Sequence, residues 1–211
     1  MLTSPGPRPE RIVLEGETVM LRPVTVADAP DLWRSGADDA ELWRYMAGGP
    51  FASLEEFQAF VRLQEESEDP LHFAILDRES GRAIGTASLM RIEPKHRVIE
   101  VGHILFTGAL QRTRGATEAM YLLARYVFEG LGYRRYEWKC NAANEKSKRA
   151  AGRLGFTFEG VFRQHMIIKG ENRDTAWYSM LDSEWPEAKV RFERWLDKGN
   201  FMEDGSQRSA L

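Results

Sequence analysis

The chain has 211 residues, of which 43% are hydrophobic and 29% charged, and a formal net charge of −3 at pH 7. These values are typical of one globular domain with a core of its own. The slightly acidic balance argues against a dedicated nucleic-acid-binding protein, which is usually strongly basic. The single cysteine, Cys140, excludes an internal disulfide and a multi-cysteine metal site, and we expect a buried structural thiol there. No apolar run has the length of a membrane span and no secretory signal is evident, so we expect a cytoplasmic protein.

The first half of the chain predicts a leader followed by helices and an antiparallel meander. Residues 1–14 form a proline-rich leader that we expect to be flexible. Ser53 followed by Glu56 is a capping-box pattern at the start of a helix. The predicted helices cover 25–35, 40–45 and 53–66. The predicted strands cover 18–22, 71–77, 83–92 and 98–106.

The second half predicts alternating strands and helices up to a final hairpin. Helical spacing of apolar residues begins at Ala116, and Gly130 and Gly132 end that helix. The further helices cover 145–154 and 183–197, and the further strands cover 134–140, 156–169 and 175–181. Residues 198–211 are expected to be a frayed tail. Together these elements predict a single α/β (α+β) domain over 15–197, with a mixed, mostly antiparallel sheet and helices on both faces.

A candidate phosphate site lies between the strand 98–106 and the helix that follows. The connecting turn, 111–116, carries Arg112, Arg114 and Gly115. A turn exposes backbone N–H groups, and a helix N-terminus adds a partial positive charge, so the combination favours an anion. The pattern alone has low specificity, since a solvated basic turn has the same composition.

The same stretch resembles the acyl-coenzyme A site of the GNAT N-acetyltransferases, and most closely the RimJ/RimL-type branch that acetylates protein N-termini. The resemblance spans about 18–184 and rests on four motifs of this sequence. These are Glu100-Val101-Gly102-His103, Gln111 to Ala119, Asn144 with Ser147, and Leu154-Gly155-Phe156. The sequence departs from the family pattern at two positions. Arg114 replaces the first glycine of the family turn. Ala151 stands where many members carry a tyrosine that acts as general acid, and the RimJ/RimL branch often lacks that tyrosine.

The resemblance implies acetyl-coenzyme A as cosubstrate, bound by residues of the turn and of the next strand and helix. The implied set is Leu105, Phe106, Gln111, Arg112, Thr113, Arg114, Gly115, Ala116, Thr117, Asn144, Ser147 and Arg149. In the family, a splayed strand offers a free backbone N–H to the thioester carbonyl, and Leu105 and Phe106 hold the corresponding positions. Arg114 could bind phosphate through its guanidinium in place of the usual glycine backbone. No metal is implied.

Three residues are candidates for catalysis. Glu100 matches an acidic position of this branch and would act as general base through water, although a salt-bridged edge carboxylate is an equally good interpretation. His103 could titrate near neutral pH, but more often such a residue only packs. Strand alternation places Glu100 and His103 on opposite faces unless a bulge intervenes. Ser147 resembles the serine that hydrogen-bonds the coenzyme thiol, and it could equally be a helix-capping residue together with Asn144.

The predicted function is acetyl-coenzyme A-dependent N-acetylation by direct attack of a primary amine, with a protein N-terminal α-amine as the expected acceptor. Two alternatives remain open: a small-molecule amine as acceptor, or a coenzyme-binding module without catalysis. Aromatic residues including Trp43 and Tyr45 could form the acceptor groove or simply belong to the core. A monomer and a homodimer are both compatible with the sequence.

Overall fold

The computed structural model of this chain describes residues 4–202 and 204–211. The strands are β1 Leu14–Glu15, β2 Val19–Pro23, β3 Leu71–Asp77, β4 Ala83–Glu93, β5 Val98–Phe106, β6 Arg135–Asn141, β7 Thr157–Ile168 and β8 Glu171–Leu181. The α-helices are α1 Ala29–Leu32, α2 Leu54–Glu66, α3 Arg114–Arg125, α4 Glu145–Arg153 and α5 Trp185–Leu196. The 3₁₀ turns lie at Val26–Asp28, Ala40–Trp43 and Lys198–Asn200.

All the strands belong to one sheet in the order β1-β2-β3-β4-β5-β6-β8-β7. Neighbouring strands are antiparallel except β5 and β6, which are parallel and are joined by the crossover through α3. The predicted α/β fold with a mixed, mostly antiparallel sheet is therefore confirmed.

Two apolar cores lie on opposite faces of the sheet, as the alternation within β3 illustrates. Phe73 belongs to the larger core, which includes Leu123 of α3 and Phe192 of α5. The next residue, Ala74, belongs to a smaller core with Phe57 of α2. Since successive residues of a strand point to opposite faces, helices cover both sides of the sheet, as predicted.

The N-terminal end of α3 is fixed to β2 through a buried carboxylate. Glu118 accepts the backbone N–H groups of Glu17 (2.6 Å), Thr18 (2.7 Å) and Val19 (3.0 Å). Contact is equally close at Gly115, where an added Cβ would lie 2.7 Å from Val19 Cγ1. The position of α3 is therefore set by the first long strand of the chain.

The helix predicted over 25–35 is shorter and interrupted in the structure. Asp28 is buried and held by the Arg22 guanidinium, with Nη2 2.6 Å from Oδ1, which fixes the chain before α1 begins. After α1, the backbone widens into a π-type turn at Trp33–Ala37 and reaches a φ of 111° at Gly36. This glycine ends the helical region because left-handed backbone is readily adopted only without a Cβ.

The leader makes hydrogen bonds to distant parts of the domain. Its residues 1–3 lie outside the described part of the chain. The Gly6 N–H donates to the Pro94 carbonyl (2.9 Å), and the Glu10 N–H donates to the Tyr126 hydroxyl (2.9 Å). The flexibility expected for the leader stays a prediction.

The tail contacts the end of α5, and the fraying expected for it stays a prediction; Glu203 within it lies outside the described residues. Asn200 is buried, donating through Nδ2 to the Trp195 carbonyl (2.9 Å) and accepting the Ser209 N–H (3.0 Å) through Oδ1. One side-chain amide thus joins the end of α5 to the last residues. The predicted domain limits, 15–197, stay a prediction.

Candidate active site

The parallel strands β5 and β6 separate partway along their length. Their pairing runs from Val98 opposite Arg135 to Val101 opposite Trp138 and ends there, whereas β5 continues to Phe106 and β6 to Asn141. The edge of β5 that faces β6 is therefore left without a ladder partner over its last residues. Leu105 and Phe106, the predicted oxyanion donors, lie in this unpaired part.

A β-bulge places His103 on the same face of the sheet as Glu100. Between Ser88 and Thr86 of β4, the strand β5 contains one extra residue, and His103 has a φ of 47°. Ser88 pairs with Gly102, and its Oγ lies 3.3 Å from His103 Nδ1. The bulge therefore brings together two candidate bases that simple alternation would have separated.

Glu100 lies at the end of a chain of buried ion pairs. Its carboxylate is 3.0 Å from Lys139 Nζ and 3.3 Å from Arg91 Nε. Lys139 also contacts Glu137 (2.8 Å), which in turn contacts Arg135 (2.7 Å). Burial raises the pKa of Glu100 while Lys139 opposes that rise, so this carboxyl group is a stronger base than an exposed one.

His103 is half-buried and lies beside the buried His72 of β3. The two imidazole rings stack with centroids 5.3 Å apart. Burial lowers the pKa of His103, with a smaller contribution from Arg173, and burial lowers the pKa of His72 to about 3. Both rings are therefore neutral at neutral pH, and His103 is available as a hydrogen-bonding group rather than as a cation.

The same face of the sheet continues onto the hairpin β7–β8. Lys139 Nζ lies 3.8 Å from the ring centroid of Trp177, and that ring packs against Phe162 (4.5 Å) and His165 (5.7 Å). The bulged segment of β7 borders an open cavity of about 830 Å³ whose lining includes Phe162, His165 and Asp174. This polar and aromatic surface is the candidate acceptor side of the site.

Sequence reasoning missed Lys139 and Trp177. A signal was present, because β6 carries Arg135, Glu137 and Lys139 at alternate positions of a central strand. Charged residues at every second position of such a strand predict a polar cleft rather than a core face.

The rim of the acceptor side is closed by two contacts across the fold. Lys169, at the tip of the β7–β8 hairpin, donates to the Trp43 carbonyl (2.7 Å). The Tyr45 hydroxyl donates to the Ala143 carbonyl (3.3 Å), beside the start of α4. The Trp43 ring itself is fully buried among Phe51, Phe57 and Phe60, so it belongs to the core.

The predicted phosphate turn connects β5 to α3, with Thr113 as the N-cap residue. The backbone N–H groups of Gln111 and Thr113 are bonded within the turn, and Thr113 Oγ1 accepts that of Ala116 (3.2 Å). Among the described residues, three more of these N–H groups have no acceptor, at Arg112, Arg114 and Gly115. Free donors at a helix N-terminus fit an anionic ligand such as the coenzyme pyrophosphate.

The Arg114 side chain contacts other parts of the protein, whereas the sequence suggested that its guanidinium would bind the phosphates in place of the family glycine. Nη2 lies 2.6 Å from a Glu17 carboxylate oxygen and also donates to the Leu196 carbonyl. The guanidinium carbon lies 5.4 Å from the Phe201 ring centroid. Arg114 is therefore accommodated because its side chain packs against the C-terminal segment. Arg112, by contrast, is exposed, with a backbone φ of 63°.

The start of α4 carries Asn144 and Ser147 in a capping arrangement. Asn144 Oδ1 accepts the Ser147 N–H (3.1 Å), and Ser147 Oγ accepts the indole N–H of Trp138 (3.0 Å). The Ser147 hydroxyl hydrogen is therefore free to donate elsewhere. Cys140 is buried, as predicted, and burial raises its pKa.

Two of the remaining predicted coenzyme contacts have different environments. Thr117 is buried, and its Oγ1 accepts from Arg153 Nη1 (3.0 Å), which links α3 to the end of α4. Arg149 is exposed on α4 and, with Arg112, supplies positive charge on the coenzyme side. No helix in the described ranges combines the length and the apolar character needed to cross a membrane.

Comparison with known proteins defines the class to which this fold and site belong. The sequence pattern of the acetyltransferase (GNAT) domain matches residues 18–157, and the chain therefore belongs to the GNAT family of acetyltransferases.

Individual relatives agree with this assignment. A crystal structure of a GCN5-related N-acetyltransferase from Brucella melitensis is 44% identical, with a TM-score of 0.95 over 98% of this chain and 95% of that one. Uncharacterized N-acetyltransferase YoaA of Bacillus subtilis is 30% identical over 80% of this chain and 96% of its own. “Putative ribosomal N-acetyltransferase YdaF” of Bacillus subtilis is 30% identical over 50% of this chain and 57% of its own.

This protein is accordingly an N-acetyltransferase that acts on an amine acceptor with acetyl-coenzyme A as cosubstrate. Its free N–H groups at the start of α3 and the gap between β5 and β6 fit that cosubstrate.

Proposed function

We propose that this enzyme acetylates the α-amine of a protein N-terminus in the cytoplasm. The observation that carries the proposal is the gap between β5 and β6, because it opens beside a polar cleft that holds Glu100 and His103. An open cavity of about 830 Å³ at the β7–β8 hairpin extends this side of the site. An extended chain could lie there while its first residue enters the cleft. The relative YdaF is named a putative ribosomal N-acetyltransferase, which agrees with a protein acceptor.

Acetyl-coenzyme A supplies an activated acetyl thioester, and the residues of this chain orient it and move protons. The backbone N–H groups of Arg112, Arg114 and Gly115 would hold its pyrophosphate, and Asn144 borders its pantetheine arm. A backbone N–H of Leu105 or Phe106 would stabilise charge on the carbonyl oxygen, which contributes roughly 3 kcal/mol for one preorganised donor. These two residues lie where β5 has no ladder partner toward β6.

Proton transfer is assigned to two side chains. Glu100 would accept a proton from the acceptor amine through a water molecule, since burial has raised its pKa. Ser147 would donate its hydroxyl hydrogen to the leaving sulfur, because its oxygen is already oriented by Trp138 Nε1 (3.0 Å). Neither side chain forms a covalent bond to the acetyl group.

A small amine is the second candidate acceptor. The side chain of Glu100 is only 6% exposed, so the immediate surroundings of the base admit little more than an amine and the atoms next to it. The contacts that distinguish a peptide acceptor from a small-molecule acceptor would therefore lie outside the cleft.

The test is an acceptor assay with the purified enzyme and acetyl-coenzyme A, following release of the free thiol. Four acceptors are compared. Two are peptides: a hexapeptide with a free N-terminus, and the same peptide with its N-terminus blocked and a lysine side chain added. The other two are a diamine and a free amino acid. Turnover of only the first supports an N-terminal acceptor. Turnover of the diamine or the amino acid alone would show that the acceptor is a small molecule and not a protein. Micromolar coenzyme binding without any turnover would indicate a binding module.

A further inference from the structure

Arg173 of β8 faces the same cleft as Glu100. It lies two residues before Thr175 and four before Trp177, and residues at even separations along a strand share a face. Trp177 contacts Lys139, the partner of Glu100, and Thr175 Oγ1 lies 3.0 Å from His165 Nδ1. The charge of Arg173 also contributes to the pKa of His103. Arg173 therefore belongs to the acceptor side of the site.

The Arg173 guanidinium has no counter-ion within the part of the chain that the structure describes. Its Nε is buried and has no hydrogen-bond acceptor there. Trp177 Nε1 is likewise buried without an acceptor among the described residues. Unpaired buried donors are uncommon in folded proteins because their loss of water is not compensated, and the cost is greatest for a charged group.

The nearby carboxylates are engaged by other groups. Glu100 is shared by Lys139 (3.0 Å) and Arg91 (3.3 Å). Glu137 is shared by Lys139 and Arg135. The residue next to Arg173 in the chain, Asp174, accepts the Gln164 N–H (2.6 Å). Among the described residues, Arg173 thus has no carboxylate as an ion-pair partner, and a bound anion would supply one.

We propose that Arg173, with the indole N–H of Trp177, binds a carboxylate that the acceptor carries close to its amine. This inference rests on the proposed acetyltransfer at Glu100. A neutral carbonyl oxygen would satisfy one N–H but would leave the guanidinium without a counter-ion, whereas a carboxylate satisfies both needs. Two sources have this chemistry: the side chain of an acidic first residue in a polypeptide, and the α-carboxylate of a free amino acid.

Matched acceptor pairs test the proposal. One pair is a hexapeptide beginning with aspartate and the same peptide beginning with asparagine. The other pair is a free amino acid and its amide. The wild-type enzyme is expected to give a KM at least about tenfold lower for the acidic member of one pair, which identifies the source of the carboxylate.

Arg173→Gln and Trp177→Phe test the assignment of the binding residues. We expect Arg173→Gln to abolish the preference for the acidic acceptor while leaving the KM for acetyl-coenzyme A unchanged. Trp177→Phe keeps the aromatic packing and should reduce the same preference to a smaller extent. The control is Arg82→Gln, an exposed arginine in the turn between β3 and β4, and thermal melting shows whether each variant is folded.

Three results would overturn the inference. Equal KM values for charged and neutral acceptors in the wild-type enzyme would rule out the proposed carboxylate site but would leave the proposed acetyltransfer standing. A preference retained by both variants would assign it to other residues, and a raised KM for acetyl-coenzyme A in Arg173→Gln would place the arginine at the coenzyme. If no acceptor of any charge is acetylated, the proposed function fails together with the inference.

Discussion

Glu100 and Lys139 face each other across the two parallel strands, with the ammonium nitrogen 3.0 Å from the carboxylate and both side chains 6% exposed. The pair lies where β5 and β6 begin to separate, since the last ladder pair is Val101 with Trp138. The Glu100 carboxylate therefore has two possible roles, as a general base and as a structural member of an ion-pair network. Substitutions at Glu100 and Lys139 distinguish between them.

Glu100→Gln is expected to lower kcat by at least about a hundredfold if the carboxylate acts as general base. Binding of acetyl-coenzyme A, measured by calorimetric titration, should be unchanged. The rate of the wild-type enzyme should rise as the pH increases through the pKa of Glu100, which burial raises above the ordinary 4.5. The variant should lack this acidic limb of the kcat/KM profile.

Glu93→Gln is the matched control, because Glu93 is an exposed carboxylate on the neighbouring strand. It should behave as the wild-type enzyme does. A Glu100→Gln variant with normal turnover and an unchanged limb would assign this carboxylate a purely structural role.

Lys139→Met should destabilise the fold by about 3 kcal/mol or more, because it removes the cation that Glu100 and Glu137 share. Urea unfolding monitored by tryptophan fluorescence measures the change. Lys146→Met, on the exposed surface of α4, should leave the free energy of unfolding nearly unchanged. The double variant Glu100→Gln/Lys139→Met should recover part of the lost stability, and a failure to recover any would mean that the two residues are not energetically coupled.

The stability of the protein should fall in mild acid because of His72. Burial lowers its pKa from 6.5 to about 3. In the unfolded chain His72 therefore binds a proton below about pH 6.5, whereas in the folded protein it does so only near pH 3. The free energy of unfolding decreases as the pH falls through this window. At pH 5 the loss from this residue is about 2 kcal/mol relative to neutral pH.

His72→Phe should remove that share of the acid sensitivity, as measured by urea unfolding at pH 7 and pH 5. The control is His96→Phe, which changes an exposed histidine in the turn between β4 and β5. If His72→Phe lost as much stability as the wild-type protein between the two pH values, another group would be responsible.

Substitutions of Arg112 and Arg114 should affect different properties of the enzyme, coenzyme binding and thermal stability respectively, although the two residues lie close together in the chain. Arg112→Ala is expected to weaken coenzyme A binding roughly tenfold, the effect of losing about 1.4 kcal/mol. The reason is that Arg112 is exposed beside the free N–H groups of the turn. Arg114→Ala should chiefly lower the melting temperature, because it removes contacts to Glu17 and Leu196.

Calorimetric titration with coenzyme A, together with thermal melting, measures both effects. Lys198→Ala is a suitable control, since Lys198 is an exposed cation near Glu17 but outside the turn. The reverse result, with binding lost only in Arg114→Ala, would place that side chain at the phosphates after all.

The sequence predicted the fold and the outline of the coenzyme side, because those features follow from local patterns. The capping of α4 by Asn144 and the position of the turn before α3 are set by residues within a few positions of each other. The family resemblance supplied the order of these motifs, which periodicity alone does not contain.

The details that decide chemistry depend on distant residues and could not be predicted locally. A single extra residue in β5 places His103 beside Glu100, and only the pairing with β4 reveals it. The direction of the Arg114 side chain is set by Leu196, which lies 82 positions further along the chain. The sequence places Arg173 only in a loop, 169–174, that could border the acceptor groove. The lack of an acceptor for its Nε among the described residues depends on the fold.

The helix α3, whose N-terminus is the proposed coenzyme site, is held by segments that lie before and after it in the chain. Glu118 binds the backbone at Glu17, Thr18 and Val19, and Arg114 binds the carbonyl of Leu196 at the end of α5. The first of these anchors lies about a hundred positions before Glu118, and the second lies 82 positions after Arg114. We therefore expect a variant truncated before Leu196 to hold α3 less firmly and to bind the coenzyme more weakly than the full chain.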